Sequence, residues 1–220
     1  MQLSTETQTA AGAAIYNKLV LSIYDLYVLG FSNQFAWRCP SKDILDVYNQ
    51  HITNNHLDVG VGTGYFLDHC RFPSNSPKLA LLDLNPNSLK VTATRLQRYK
   101  PITYQADVLS PLPPEIKDFD SIGLNYVLHC LPGTMTSKGI AFEHLKLCLS
   151  SNGVFFGHTI LGKGVEHNGL GRRLMNTYNK QGIFGNTQDS LEDLETQLKK
   201  HFRKHTLQVK GCVASFVSWV

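Results

Sequence analysis

The strongest constraint on this chain is the way short apolar runs alternate with helical segments. The runs at 56–60 (HLDVG), 78–83 (KLALLD), 102–106 (ITYQA), 119–125 (FDSIGLN) and 154–160 (VFFGHTI) are strand-sized. Helices are expected between them, from about Gly64 to Cys70, Asn87 to Tyr99 and Lys138 to Leu149. The stretch 110–118 holds three prolines and reads as a loop. Parallel neighbours need a crossover element, so this alternation predicts an α/β fold with a mostly parallel, doubly wound sheet. Two further strands over 205–219 meet at Lys210-Gly211-Cys212, a turn so tight that this pair must be antiparallel.

Outside that frame the pattern is looser. Residues 1–10 read as a polar tail. Ala13 to Gly30 is helical in pattern, with Ile15, Leu19, Ile23 and Leu26 on one side and Gly30 as its stop. Ser41 is the expected N-cap of a second helix running to Gln50. Residues 161–171 form a Gly-rich loop, 171–180 a further helix, and Ser190 caps a helix to His201 with Asp193 at the capping-box position. The chain therefore divides into a tail with helices (1–50) and one α/β core (51–220).

Composition removes several classes. The chain is 42% hydrophobic and 17% charged, which excludes a disordered segment, a coiled coil or a fibre. The net charge is only +4. The densest basic run, Lys199 to His205, has the look of a solvated helix end with few aromatics, so no nucleic-acid partner is expected. The five cysteines are odd in number with no C-x-x-C pair, which fits a reducing compartment and neither a disulfide scaffold nor a zinc knuckle. The longest apolar stretch, Leu19 to Phe31, is interrupted at Ser22 and Asp25 and is too short to span a bilayer. A soluble, cytoplasmic protein without a secretory signal is expected.

The chemistry is concentrated at Asp58-Val59-Gly60-Val61-Gly62-Thr63-Gly64. A strand ends in an acid, and glycines then follow at every second position. Glycine admits positive φ and lets a ligand lie against the backbone. A dinucleotide loop would need G-x-G-x-x-G, but Tyr65 stands at the third glycine position. Asp83 ends the second strand 19 residues after Gly64, where an acid can accept both hydroxyls of a ribose. Asp107 closes the third strand, and Asn125-Tyr126 the fourth.

This order of landmarks, over residues 55–160, resembles the class I S-adenosylmethionine (SAM) methyltransferases of the small-molecule type. The resemblance implies a seven-stranded sheet of order 3-2-1-4-5-7-6 with strand 7 antiparallel and N-terminal lid helices. It implies SAM as cofactor, held by Asp58, Gly60, Gly62 and Gly64 at its methionine part, by Asp83 and Leu84 at the ribose, by Asp107 and Val108 at the adenine, and by Asn125 beside the sulfonium. The amine-methylating N-P-P-Y segment is absent after strand four, as are a catechol-type metal set and the double-E loop of protein arginine methyltransferases. A small acceptor, probed first as an aromatic or lipophilic O-nucleophile, is therefore expected, with no metal.

An acceptor that is a weak acid needs a base. His129 and His158 both lie on loops bordering the expected crevice, and the sequence does not choose between them. Tyr16, Trp37 and Tyr126 are candidate acceptor-binding residues, and Arg38 is a further candidate near the cofactor. Two other classes remain open at this stage. One uses SAM as a fixed charge for cyclisation or pericyclic chemistry, and the other methylates RNA or protein.

Overall fold

The computed structural model describes residues 25–220, with side chains from residue 30 onward. Tyr16 and the first part of the N-terminal helix expected from Ala13 lie outside the described residues. A helical segment of π type, Asp25–Ala36, runs straight past Gly30, the expected stop. A glycine inside a helix costs only about 1 kcal/mol. Here the last turn buries Ala36 and leads into the fully buried Trp37, an apolar contribution that offsets it. The helices that follow are α1 (Ser41–His51), α2 (Tyr65–His69), α3 (Pro86–Arg95), α4 (Met135–Lys138), α5 (Ile140–Leu147), α6 (Gly169–Lys180) and α7 (Leu191–His201).

Seven strands form one sheet: β1 (Asn55–Val59), β2 (Lys78–Asp83), β3 (Ile102–Gln105), β4 (Phe119–Asn125), β5 (Leu149–Ile160), β6 (Lys204–Lys210) and β7 (Val213–Trp219). Their order is β3-β2-β1-β4-β5-β7-β6. The first five pair in parallel, while β7 is antiparallel to both β5 and β6. β2 and β4 are buried along nearly their whole length, as central parallel strands covered on both faces must be.

Each face packs its own core. On one, Leu57, Ile122, Leu124, Phe155 and Phe216 meet Phe142 and Leu145 of α5 and Leu194 and Leu198 of α7. On the other, Leu79, Leu81, Val154 and Phe156 meet Ile44 and Tyr48 of α1, Leu67 of α2 and Leu89 of α3. That second face carries a polar seam at its centre. Strand alternation puts His56 and Asp58 of β1 beside Ser121, Gly123 and Asn125 of β4. The register pairs His56 with Ser121, Asp58 with Gly123, and Asn125 with His158 of β5.

Other boundaries also differ from the sequence reading: β5 begins at Leu149, five residues before the expected Val154. The helix expected over 138–149 is two helices broken at Gly139. Lys138 turns inward there to Asp189 (Nζ–Oδ2 2.5 Å), and a Cβ at Gly139 would come within 2.2 Å of Gln197 Oε1. Ser41 begins α1 but does not cap it: its hydroxyl accepts from Asn33 Nδ2 at 2.9 Å instead. Among the described residues no helix is long and apolar enough to cross a membrane.

Candidate active site

The turn after β1 takes left-handed backbone at all three glycines, with φ of 69° at Gly60, 54° at Gly62 and 74° at Gly64. It is tied to the sheet by Gly60 N–H donating to the Leu82 carbonyl (2.8 Å), and closed on itself by Gly64 N–H donating to Val61 (2.8 Å). From outside, α3 supports it: Thr92 Oγ1 donates to the Gly62 carbonyl at 3.1 Å and Arg95 to that of Thr63 at 2.9 Å. The three glycines are not equivalent. A Cβ at Gly60 would lie 2.1 Å from Val127 Cγ2 and one at Gly64 2.7 Å from Thr92 Cγ2, whereas among the described residues Gly62 faces nothing within 4 Å. The outer two are required by packing, and the middle one opens onto a cleft.

That cleft, of about 410 Å³ and open to solvent, is lined by the turn itself and by Tyr48, Asp58, Asn125 and Tyr126. Asp58 is nearly fully buried. Its Oδ2 accepts from the Tyr48 hydroxyl at 2.7 Å. Asp83 lies at the tip of the neighbouring strand. Burial pushes its carboxyl up to about 6; the amides of Asn85, Gly62 and Val61 pull the other way, and the nearby charge of Asp58 adds to the rise. Asn85 N–H donates to Asp83 Oδ1 at 2.8 Å, while the cap of α3 is supplied by Asn85 itself, whose Oδ1 accepts from Asn87 N–H at 2.9 Å. Asp83 is thus free of the capping duty.

Beyond β3, Asp107 Oδ1 accepts from Leu109 N–H at 2.9 Å, which folds a turn at the strand end. Val108 is buried beside it, and its carbonyl accepts from His144 Nδ1 at 2.8 Å. Leu84, half-buried after Asp83, accepts from Gln105 Nε2 at 3.3 Å through its carbonyl. Tyr126, just past β4, holds φ at 60°. A bulky residue in that region is strained, and such strain concentrates at functional sites. Its N–H donates to the His158 carbonyl at 2.8 Å.

Both candidate bases are buried, His129 at 3% and His158 at 1% exposure. Burial pushes each down to about 3; the Lys138 charge lowers His129 further, whereas Asp43 opposes the drop at His158. Both rings are therefore neutral, and their partners fix different tautomers. Ile160 N–H donates to His129 Nδ1 at 3.3 Å, so the ring hydrogen of His129 sits on Nε2. His158 Nδ1 lies 2.6 Å from Asn125 Oδ1 and donates to it, which leaves Nε2 with the lone pair.

Trp37 is fully buried, edge-on to His167 (6.3 Å between ring centres) and tilted against Phe184 (6.1 Å). Phe184 also packs on His129 at 4.6 Å and Tyr178 at 5.0 Å. Arg38 is not at the cleft: it binds the Glu166 carbonyl and ties its segment to the Gly-rich loop. Sequence reasoning missed Tyr48, His56 and Phe184. His56 was findable, two residues before Asp58 on one strand face. The other two come into place only through tertiary packing.

A family model described as a methyltransferase domain matches residues 57–155. Demethylluteothin O-methyltransferase of Streptomyces thioluteus is 44% identical over 214 residues, spanning 97% of this chain and 93% of that one. The chain belongs to the class I SAM-dependent methyltransferases. A physcion biosynthesis cluster O-methyltransferase of Aspergillus chevalieri is 41% identical over 96% of this chain and 95% of its own. Among solved structures, the DhpI–SAH complex aligns with a TM-score of 0.69 at 13% identity, covering 98% of this chain and 96% of that one. PigF with SAH aligns at 0.63 and 15% identity, covering 98% and 68%. Those two likenesses are of fold alone.

SAM is the cofactor of this methyltransferase, and the cleft fits it. The open face of Gly62 leaves room against the backbone. Asp58 lines the cleft and Asp83 accepts from the Gly62 and Val61 amides of the same turn, so two acids are at hand for a cofactor whose ammonium group and ribose diol offer donors.

Proposed function

We propose that this enzyme methylates an oxygen of a small aromatic or lipophilic metabolite, with Asp58 and Asp83 holding SAM and His158 receiving the acceptor's proton. The observation that carries the reading is the acid–glycine turn with Gly62 open to a cleft that Asp58 lines. Relatives named as O-methyltransferases at 44% and 41% identity support oxygen as the methylated atom. Bound SAM supplies a methyl group on a sulfonium, already joined to a good leaving group, so the proposed transfer needs no metal.

The protein's part is to hold, align and deprotonate. Asp83, once ionised, accepts both ribose hydroxyls. Asp58 takes the ammonium. Leu84 lies beside the ribose, Val108 flanks the adenine, and Asp107 receives the adenine amino group. The strained turn at Asn125-Tyr126 puts backbone beside the reacting centre, and Tyr126 with its neighbours lines the acceptor side. Holding the acceptor about 3 Å from the methyl carbon and in line supplies most of the rate.

Of the two histidines, His158 has the tautomer a base needs, a free Nε2 lone pair with Nδ1–H fixed by Asn125. Its burial makes it a weak base, so the proton moves to it only as the new O–C bond forms. His129 presents an N–H at Nε2 and suits packing or donation. In this reading the segment Asp25–Ala36 and the aromatic cluster around Trp37 act as a lid over the acceptor. Five free thiols are compatible with a reducing cytoplasm.

The test is product mass. Incubation with SAM and a panel of phenolic and polyketide-like acceptors should give a product heavier by one CH2, together with S-adenosylhomocysteine, and His158→Ala should lower turnover without weakening cofactor binding. A product of unchanged mass would replace methyl transfer by isomerisation, and full turnover in His158→Ala would remove the base assignment.

A further inference from the structure

We infer that His56 and Tyr48 are positioning residues that aim Asp58 at the cofactor's ammonium group, His56 being the inner end of a buried hydrogen-bond chain through Ser121 and Thr53. The inference rests on the cofactor reading above and concerns how the site holds that group.

Among the described residues Asp58 has two side-chain partners, and both fall on the same oxygen. Tyr48 Oη donates to Oδ2 at 2.7 Å, and His56 Nε2 lies 3.4 Å from that same Oδ2. A carboxylate has two oxygens, so engaging one from the protein side turns the other, Oδ1, to the cleft that Asp58 lines. Gly123 makes this arrangement possible. A Cβ there would come within 2.9 Å of Asp58 Oδ2 and 3.4 Å of His56 Cε1.

The hydrogens behind His56 run in one direction. His56 Nδ1 is 2.8 Å from Ser121 Oγ. Ser121 Oγ already accepts from Thr53 N–H at 3.0 Å and lies 2.8 Å from the Thr53 hydroxyl. The Thr53 hydroxyl also reaches the Asn55 carbonyl at 3.1 Å, so the direction is set from the other end: the Asp58 oxygen facing Nε2 accepts, which places the ring hydrogen there and leaves Nδ1 to accept from the Ser121 hydroxyl. A neutral ring that accepts at Nδ1 carries its hydrogen on Nε2, which then donates to Asp58. The ring cannot turn away: it is fully buried, stacked at 5.8 Å and 19° on Phe156 and edge-on to Tyr48 at 6.4 Å. Ser121 and His56 thus each donate toward the carboxylate and fix its orientation. The cofactor's reaction does not touch His56, so its effect reaches the ligand only through Asp58.

The test separates this role from a merely structural one by comparing two ligands. S-adenosylhomocysteine has the ammonium group; 5′-methylthioadenosine shares the nucleoside and lacks it. In calorimetric titrations, His56→Phe should weaken S-adenosylhomocysteine about tenfold, the usual scale for one hydrogen bond to a charged group, with 5′-methylthioadenosine unchanged. Added to Asp58→Asn, the same substitution should do nothing further. Ser121→Ala, which keeps the imidazole but removes the donor to its Nδ1, should shift the ratio in the same direction and decides the matter if His56→Phe does not fold. Equal losses for both ligands, or no loss for either, would overturn the inference. A wild-type enzyme that binds neither ligand would overturn the cofactor reading itself, and the role of His56 with it.

Discussion

Gly60, Gly62 and Gly64 all adopt left-handed backbone, yet a methyl group would act differently at each because their surroundings differ. At Gly60 it would overlap the Val127 side chain, which packs against the apolar core. At Gly62 it would enter the open cleft. Gly60→Ala should therefore lower the thermal midpoint markedly, by the 1–3 kcal/mol typical of overpacking plus about 1 kcal/mol for the disfavoured φ. Gly62→Ala should carry only that second cost while losing S-adenosylhomocysteine binding. Melting curves and titrations on the two variants check this, and a Gly62→Ala protein that binds like wild type would move the ligand away from the turn. The D-x-G-x-G-x-G spacing was legible in the sequence because turn chemistry is local. Tyr48 was not, since a helix tyrosine shows nothing of the carboxylate it will reach across a sheet. Nor was the distinction between His129 and His158, which rests on hydrogen-bond partners contributed by other strands.

At the scale of elements, the strand pattern carried over closely. β2 and β4 fall on the residues expected, and Ser190 caps α7 by accepting from Asp193 N–H at 3.1 Å. The errors came where one buried side chain overrode local pattern. Lys138, fully buried at the last residue of α4, pairs with the equally buried Asp189, while also donating to the Gly185 carbonyl at 3.0 Å. Burial lowers the lysine and raises the aspartate from their ordinary values, and the opposite charge of the partner works against each shift. The pair fastens the loop that carries Phe184, whose neighbour Gly185 donates to the His129 carbonyl at 2.8 Å. Removing one partner leaves a buried charge alone, so Lys138→Met should cost about 3–5 kcal/mol. The double variant Lys138→Met/Asp189→Leu should recover most of it. Chemical denaturation reads both values. A Lys138→Met protein as stable as wild type would show that the pair is not what holds this loop.

For the molecule as a whole, the order of all seven strands followed from the resemblance carried by residues 55–160, and alternation of strands and helices alone already required a doubly wound sheet. The N-terminal side was less readable. The aromatic pattern of 16–37 fits both a lid and a core stripe, and Trp37 is fully buried against residues 167 and 184, more than a hundred positions away in the chain. What the fold as a whole does is bring two acids, from the ends of adjacent strands, to one glycine turn, where the proposal has them hold the two ends of one cofactor. The measurement that tests this most directly is isothermal titration of S-adenosylhomocysteine into wild type and Asp83→Ala, repeated across pH. Wild type should bind, and the variant should keep its fold yet lose roughly a hundredfold in affinity with two hydrogen bonds to a charged group removed. Because burial raises the Asp83 carboxyl to about 6 and only its ionised form accepts both hydroxyls, wild-type affinity should be full above that pH. Below it, affinity should fall by roughly tenfold per unit. Equal affinity in Asp83→Ala, or no binding to wild type at any pH, would contradict the account.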